Sequence, residues 1–207
     1  MAELTKTISQ QDKDYINKVK NAPAFGIKDK LGYLLGDLGG NTLQVIVNTY
    51  LLLFMTSVIG IKAAHFAIIV AICKALDALN DPVIGGITDR AKGTKKGKYT
   101  RIIGLAAIPM SILTVLLFVN ISGTPYAFKL AWCLVVYFLW GVISTFWNVP
   151  YGTMLNTITT DQGQRAELSN FRSIGSTGAN VLMQTVAPLV IFNEITKLPQ
   201  KVSLFYL

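Results

Sequence analysis

Long apolar segments constrain the fold of this chain more than any other feature. A helix needs about 20 mainly apolar residues to cross the hydrocarbon core of a bilayer. Five segments reach this length, with polar breaks between them, and they lie near 33–57, 63–88, 101–120, 127–151 and 168–192. Because backbone polar groups in lipid must be satisfied internally, such segments span as helices. The sequence therefore predicts an all-α membrane protein.

The two ends of the chain differ from its apolar interior. Residues 1–29 are polar and lack an apolar core of the signal-peptide type, so we expect an uncleaved cytosolic N-terminal tail. Residues 30–207 are expected to form the transmembrane bundle. The final VSLFYL is apolar but too short to span, and we interpret it as the start of a sixth span from about residue 202. Pro150 is expected to end or kink the fourth span.

The composition agrees with a membrane protein. The chain is 52% hydrophobic, only 14% charged, and has a mean hydropathy of +0.47. A net charge of +8 is also typical of nucleic-acid-binding proteins, but here the basic residues stand between apolar runs instead of on one soluble face. The two cysteines, Cys73 and Cys133, lie inside apolar runs, so we expect free thiols without metal-ligand neighbours.

Lys and Arg are distributed unequally between the two sides of the predicted spans. The tail, the connection between the second and third spans, and the connection between the fourth and fifth hold most of them. The opposite side holds only Lys62, Lys129, Lys197 and Lys201. The positive-inside rule therefore predicts a multi-pass protein of the cell membrane with its N-terminus in the cytoplasm.

The second span carries charge in its segment KALDALNDPVIGGITDR, residues 74–90. At about 100° per residue, four polar side chains fall within a stripe of roughly 120°. They are Lys74, Asp77, Asn80 and Asp81. Charge at mid-membrane is costly and normally faces a bundle interior or a water-filled cavity. Pro82 follows directly and frees a backbone carbonyl in the preceding turn as a further oxygen ligand.

Three interpretations of this stripe remain open. Two carboxylates, an amide oxygen and a free carbonyl suit a hard monovalent cation. Two carboxylates this close can instead share a proton, because their repulsion disfavours the doubly ionised state. In the third interpretation Lys74 forms a structural salt bridge, which leaves one aspartate unpaired. The first two interpretations indicate a coupling ion, Na⁺ or H⁺, and we expect no other cofactor or metal.

Four segments together resemble one known family. They are LGYLLGDLGGN, LDALNDPVIGGITDR followed by GKYTR, LWGVISTFWNVPYG, and RAELSNFRSIGS. From about Lys28 to Ile191 their order and spacing are similar to those of the glycoside–pentoside–hexuronide:cation symporters of the major facilitator superfamily. The resemblance implies the N-terminal six-helix bundle of a major facilitator fold, here with five complete helices and the start of a sixth. It also implies cation-coupled symport of a glycoside, pentoside or hexuronide.

The resemblance implies a cation site on the second and fourth spans. The family's D-A-x-N-D-P motif falls on Asp77, Asn80 and Asp81. A fourth-helix threonine that contributes an oxygen to the family's sodium site falls on Thr145. Lys74 stands where the family has an arginine, so the resemblance keeps a basic charge partner for the carboxylates, without a bidentate fork.

The implied sugar site matches less closely. Two aspartates that hold sugar hydroxyls in the family correspond to Asn41 and Asn148. A tryptophan that packs on the sugar corresponds to Gly152. An arginine near the sugar is retained as Arg172. Asparagine still donates and accepts hydrogen bonds. Loss of two negative charges near Arg172 predicts that a hexuronide is more acceptable here. From the residues alone, helix-packing amides and a lipid-headgroup arginine remain alternatives.

The segment GGITDRAKGTKKGKYTR resembles the superfamily's cytoplasmic loop between the second and third helices. The resemblance implies a cytoplasmic gate, in which Asp89 meets a helix N-terminus of the other half while Arg90 and Arg101 close the cytosolic side. The lysines of this loop are equally consistent with topology and contact with anionic lipid alone.

The predicted partners are a small sugar, a monovalent cation, the bilayer and the C-terminal half that this superfamily places opposite such a bundle. We therefore expect an N-terminal fragment that does not transport alone. The alternatives are a different solute, such as a lysolipid, on the same scaffold, or a membrane fragment without transport activity. We do not expect an enzyme, because intramembrane aspartyl proteases place their aspartates on different helices and use a G-x-G-D motif that this sequence lacks.

Overall fold

The computed structural model describes residues 25–90, 98–159 and 161–191. Within these ranges the chain forms five α-helices and no strand, which confirms the all-α prediction for the described residues. The helices are α1 Ile27–Ser57, α2 Ala63–Arg90, α3 Lys98–Leu117, α4 Tyr126–Ile158 and α5 Gln162–Ile191. Most of the predicted tail and the predicted start of a sixth span lie outside the described residues.

Several helix ends extend beyond the predicted apolar segments, and polar caps account for the early starts of α1 and α5. At the start of α1, the backbone N–H of Gly26 donates to Asp29 Oδ2 at 2.9 Å. At the start of α5, the N–H of Gln164 donates to Asp161 Oδ1 at 2.8 Å, as an N-cap carboxylate does. α4 runs to Ile158, past the predicted end at 151.

Pro150 lies inside α4 and does not end it, so the first form of that expectation is wrong. Proline removes one backbone donor, and a membrane helix tolerates this where neighbouring groups satisfy the backbone polar groups. The pyrrolidine ring itself is buried, so the helix continues through the bundle interior.

By length and hydropathy, three helices of the described part are able to cross a membrane: α1, residues Tyr99–Leu117 within α3, and α4. α2 and α5 fall short of the same criterion in the described residues. Their sequences explain the difference, since α2 carries the charged stripe and the first turns of α5 contain Arg165, Glu167 and Arg172. The predicted count of six helices lies beyond what the described residues contain.

The helices pack in two groups that enclose a polar interior. α1 packs along α5, while α4 packs against both α2 and α3. Aromatic and aliphatic side chains of α1, α3 and α4 form the shared core, including Leu51, Met55, Met110 and Trp140. Glycines permit the closest helix approach, because a Cβ on Gly175 of α5 would lie 2.6 Å from the carbonyl oxygen of Leu34 on α1. This packing leaves α1, α2, α4 and α5 around two polar cavities.

Candidate functional site

A first cavity of about 310 Å³, here called the ion cavity, lies between α1, α2 and α4. Most of the side chains that line it are polar, and they come from all three helices. They are Gln44, Asn48, Lys74, Asp77, Ala78, Asp81, Trp140, Ser144, Thr145 and Asn148. Three members of the charged stripe of α2, Lys74, Asp77 and Asp81, therefore line a cavity between helices, and two of them, Lys74 and Asp81, are also exposed.

Asp77 is held on one side only. Lys74 Nζ lies 3.3 Å from Asp77 Oδ2, which forms an i,i+3 ion pair on α2. Asp77 Oδ1 and Asn80 Nδ2 are both buried, and neither has a hydrogen-bond partner among the described residues. A buried polar atom without a partner is costly. The site therefore retains an unsatisfied carboxylate oxygen that a cation or a proton would satisfy.

Asp81 meets the fourth helix through Thr145. Thr145 Oγ1 donates to Asp81 Oδ1 at 3.0 Å, across the interface between α4 and α2. The structure thus brings Asp77, Asp81, Thr145 and Lys74 to one cavity, and it places Asn80 beside them on α2 without lining that cavity. Two carboxylates and a hydroxyl are hard oxygen donors, which suit Na⁺ better than a soft metal. Among the described residues, no cluster of three or more His, Cys, Asp or Glu side chains could hold a metal ion.

A second cavity of about 290 Å³, here called the solute cavity, adjoins the first between α2, α4 and α5. It is lined by Asp81, Ser144, Thr145, Asn148, Val149, Gly152, Thr153 and Arg172. Half of this lining also belongs to the ion cavity, namely Asp81, Ser144, Thr145 and Asn148. An ion and a solute bound in the two cavities would therefore contact the same turns of α4.

Arg172 joins three helices at the edge of the solute cavity. Its Nη2 donates to Asn148 Oδ1 at 3.1 Å on α4. Its Nε donates to Asp37 Oδ1 on α1, also at 3.1 Å. The guanidinium carbon lies 5.4 Å from the ring centroid of Tyr151, within the range of a cation–π contact. Gly152 stands next to the arginine, since a Cβ there would lie 3.5 Å from Arg172 Nη1.

Asp37 is the site residue that the sequence analysis missed. Its side chain is 0% exposed, and it forms an ion pair with Arg172. Its second oxygen, Oδ2, accepts a hydrogen bond from Asn41 Nδ2 at 2.7 Å. The predicted Asn41 therefore lies behind Asp37 and lines neither cavity. The signal was present in the sequence, because an ionisable residue inside an apolar span is by itself a reason to look for a functional partner.

Asp37 also bears on the predicted preference for a hexuronide, which stays a prediction. That prediction depends on Asn41 and Asn148 standing where the family has two aspartates near the arginine. The structure supplies a carboxylate from Asp37, one helical turn before Asn41 on α1. The charge balance around Arg172 is thus close to neutral in the described structure.

Beside Arg172, a pair of tyrosines joins α1 to α4. Tyr33 Oη donates to the carbonyl oxygen of Tyr151 at 3.0 Å, and Tyr151 Oη donates to the carbonyl oxygen of Tyr33. The two rings stack with centroids 4.7 Å apart, and Trp147 stacks on Tyr151 at 5.0 Å. This aromatic stack fastens α1 to α4 and forms a rigid support for the guanidinium group.

Comparison with known proteins places these features in a family. Residues 32–206 match the family model described as MFS/sugar transport protein, which covers most of the chain. The chain belongs to this family. The match confirms the resemblance drawn from the four sequence segments. As a member of the MFS sugar-transport family with apolar helices of membrane-spanning length, the chain is an integral membrane protein.

Three relatives show the range of names within this family. An uncharacterized symporter of Bacillus subtilis (strain 168) is 33% identical over 177 residues, 84% of this chain and 38% of the relative. A putative 2,3-dihydroxypropane-1-sulfonate exporter of Salmonella typhimurium is 36% identical over 171 residues, 81% of this chain and 36% of the relative. A putative glycoside/cation symporter of Escherichia coli (strain K12) is 32% identical over 165 residues, 79% of this chain and 35% of the relative.

The chain spans well under half the length of the curated relatives that it matches. The relatives are named as symporters and an exporter, so the family is one of transporters and not of enzymes. Of the predicted gate residues, Arg90 is exposed at the end of α2 and Arg101 is exposed near the start of α3. The side chain of Asp89 lies outside the described part, so the gate stays a prediction.

Proposed function

We propose that this chain forms the N-terminal bundle of a secondary active transporter that moves a sugar-like solute together with Na⁺ or H⁺ across the cell membrane. Family membership supports the solute class and the transport of solutes. The observation that carries the cation coupling is the ion cavity, where Asp77 Oδ1 is buried without a partner close to the bonded pair of Asp81 and Thr145.

The coupling ion would act by neutralising the carboxylates of α2. Asp77, Asp81 and Thr145 offer it oxygen ligands from two helices, and Lys74 competes with it for Asp77. Rotating the Asn80 amide by half a turn would present its carbonyl oxygen in place of the unpaired Nδ2. An ion held in this way would tie α2 to α4, because its ligands lie on both helices.

The solute would lie in the adjoining cavity. Asn148 and Arg172 provide donors for its hydroxyl groups, and Gly152 leaves room for its body. Because Asp81 and Thr145 line both cavities, an ion that orders them also shapes one wall of the solute cavity. This shared wall supports coupled binding. The gate at Asp89, Arg90 and Arg101, and a cytoplasmic N-terminus, belong to the same proposal.

Two other solute classes could be carried by the same scaffold. A lysolipid needs an apolar channel for its acyl chain, whereas the ion cavity is lined mainly by polar side chains, so we do not propose it. An anionic sugar-like solute is the second candidate, since Arg172 lines the solute cavity and one relative is named as a putative sulfonate exporter. The charge around Arg172 decides between this candidate and an uncharged sugar.

Ion binding is the direct test of the cation site. The purified chain in lipid nanodiscs should bind ²²Na⁺, and Asp77→Asn and Asp81→Asn should each weaken binding by at least about tenfold, because each removes a charged ligand. The variant Thr145→Val distinguishes Na⁺ coupling from H⁺ coupling. It removes a hydroxyl ligand, which should weaken Na⁺ binding but should not affect a proton carried by a carboxylate.

The matched control is Glu167→Gln, which removes a carboxylate that pairs with Lys30 at 2.6 Å outside both cavities. It should leave ²²Na⁺ binding unchanged. Proton coupling would appear as pH-dependent proton uptake that depends on Asp77 and Asp81, without Na⁺ binding. If both aspartate variants bind Na⁺ and protons like the wild type, the cation site is not at α2.

A further inference from the structure

We propose that Asp37 is a positioning residue that sets the charge of the solute site. It neutralises and orients Arg172, and the site consequently selects uncharged polyhydroxylated solutes over anionic ones. This inference rests on the proposed solute site at Asn148 and Arg172. It adds a residue that lines neither cavity, and it names the charge class of the solute.

Both carboxylate oxygens of Asp37 are engaged. Oδ1 accepts from Arg172 Nε at 3.1 Å, and Oδ2 accepts from Asn41 Nδ2 at 2.7 Å. The side chain is fully buried, so its charge is balanced by the arginine and not by water. Charge-assisted hydrogen bonds of this kind are stronger than neutral ones. The orientation of Arg172 is therefore set from α1.

Helix packing holds the pair in place. Gly175 lies three residues after Arg172, on the same face of α5. A Cβ on Gly175 would lie 3.4 Å from Asp37 Cβ and 2.6 Å from the carbonyl oxygen of Leu34. α5 therefore contacts the backbone of α1 at the level of the ion pair. Arg172 cannot leave Asp37 by a small rigid movement of either helix without opening this contact.

One edge of the guanidinium remains for the solute. Nε faces Asp37 and Nη2 faces Asn148, while Nη1 lies beside Gly152, which has no side chain of its own to cover it. A hydroxyl group of a sugar can accept a hydrogen bond from this edge. A carboxylate or sulfonate placed there would share the arginine with Asp37, and two anions on one cation repel each other.

The charges of the two cavities lead to the same conclusion. Among the described residues that line them, the charged groups are Lys74, Asp77, Asp81 and Arg172. Asp37 balances Arg172 from behind. Lys74 and one bound monovalent cation would balance the two aspartates of α2. The loaded cavities would then carry no net charge, and an anionic solute would add an uncompensated one.

Chemical modification of arginine tests the ion pair without any solute. Phenylglyoxal forms covalent bonds to the guanidino group, and a charge-assisted hydrogen bond to a carboxylate holds that group back from the reaction. Arg165 is a built-in control, because it is half-buried like Arg172 but donates to a neutral partner, the carbonyl oxygen of Thr159, at 3.0 Å. In the wild-type chain in nanodiscs, Arg172 should react more slowly than Arg165. Equal rates would overturn the charge pairing.

The variant Asp37→Asn removes the charge but keeps the size and an oxygen that can accept from Arg172. Its Arg172 should react with phenylglyoxal about tenfold faster, because a neutral hydrogen bond holds the guanidino group less strongly than a charge-assisted one. The rate at Arg165 in the same sample should stay constant. An unchanged rate at Arg172 would show that Asp37 does not neutralise it, and the proposal would fail.

Solute selectivity is measured with a matched pair of probes, p-nitrophenyl glucoside and p-nitrophenyl glucuronide. We expect the wild type to favour the glucoside and Asp37→Asn to shift the affinity ratio toward the glucuronide by at least about tenfold. The double variant Asp37→Asn with Arg172→Gln should lose this shift. A parallel loss of both probes in Asp37→Asn, with the ratio unchanged, would make Asp37 a packing residue and overturn the proposal.

Failure of the proposed function gives a different result from failure of this inference. If the wild type binds neither probe, the proposal of a sugar-like solute is contradicted for these sugars. The charge pairing of Asp37 and Arg172 is then decided by the modification rates alone. A wild type that prefers the glucuronide would overturn the selectivity inference and leave the family and the cation site untouched.

Discussion

The carboxylate of Asp77 lies against the backbone of α4 at Gly141. A Cβ on Gly141 would stand 2.7 Å from Asp77 Oδ1, the oxygen that is buried without a partner. Gly40 likewise leaves space for the ring of Trp147, which would lie 1.8 Å from an added Cβ. At the scale of single residues, the position of the charged and aromatic groups thus depends on neighbours that have no side chain.

We expect Gly141→Ala to weaken ²²Na⁺ binding by about tenfold, since the new methyl group displaces the Asp77 carboxylate from its place. The chain should still fold, because the displaced atoms are the end of a side chain and not backbone. Binding is measured in nanodiscs across a Na⁺ titration.

The matched control is Gly104→Ala on α3, where an added Cβ meets nothing within 4 Å. It should bind Na⁺ like the wild type and be equally stable or slightly more stable, as expected when alanine replaces glycine in a helix. If Gly141→Ala also binds Na⁺ normally, the position of Asp77 Oδ1 does not matter for the ion.

At the scale of helices, α1 and α5 approach each other at Gly175. The added Cβ there would meet the Leu34 carbonyl oxygen at 2.6 Å, and this atom belongs to backbone that cannot rotate away. Gly178, one turn later, would meet only Leu38 Cδ1 at 3.7 Å, an ordinary contact. The interface is therefore closest at the level of Asp37 and Arg172 and less crowded beyond it.

Gly175→Ala should lower the free energy of unfolding by roughly 1–3 kcal/mol, the usual cost of overpacking a tight interface. Gly178→Ala is the paired control and should have almost no effect. Both are measured by SDS-induced unfolding in mixed micelles, followed by helical circular dichroism. Coincident unfolding curves for the two variants would show that α1 and α5 do not pack as closely as described.

At the scale of the whole molecule, the helix order predicts which loops share a side of the membrane. The connection between α3 and α4 contains Gly123, and the connection between α4 and α5 precedes Gln162. Since α4 crosses the membrane between them, the two positions should lie on opposite sides. The distribution of Lys and Arg predicts that Gln162 lies on the cytoplasmic side.

A single cysteine at Gly123 should therefore react with a membrane-impermeant maleimide on intact cells, and a cysteine at Gln162 should react only after permeabilisation. Both native cysteines, Cys73 and Cys133, are free and buried, which keeps background labelling low. Labelling of Gln162→Cys and not of Gly123→Cys on intact cells would reverse the proposed orientation.

Much of the fold was open to prediction because it is encoded locally. Apolar length determines where helices form in lipid, since each helix satisfies its own backbone. The stripe of Lys74, Asp77 and Asp81 was predictable for the same reason, as all three residues lie on one helix. The helix starts at Ile27 and Gln162 were not, because polar caps extend these helices past the apolar pattern.

The sequence by itself determined that the chain is a helical membrane protein with a charged face on α2, and the resemblance added Thr145, Asn148 and Arg172. Only the tertiary structure decided that Asp37 neutralises Arg172, which lies 135 residues away in the chain. Periodicity relates residues within one helix, whereas this pair depends on how closely two helices approach. The close approach of α1 and α5 depends on Gly175, because a side chain there would collide with the backbone of α1.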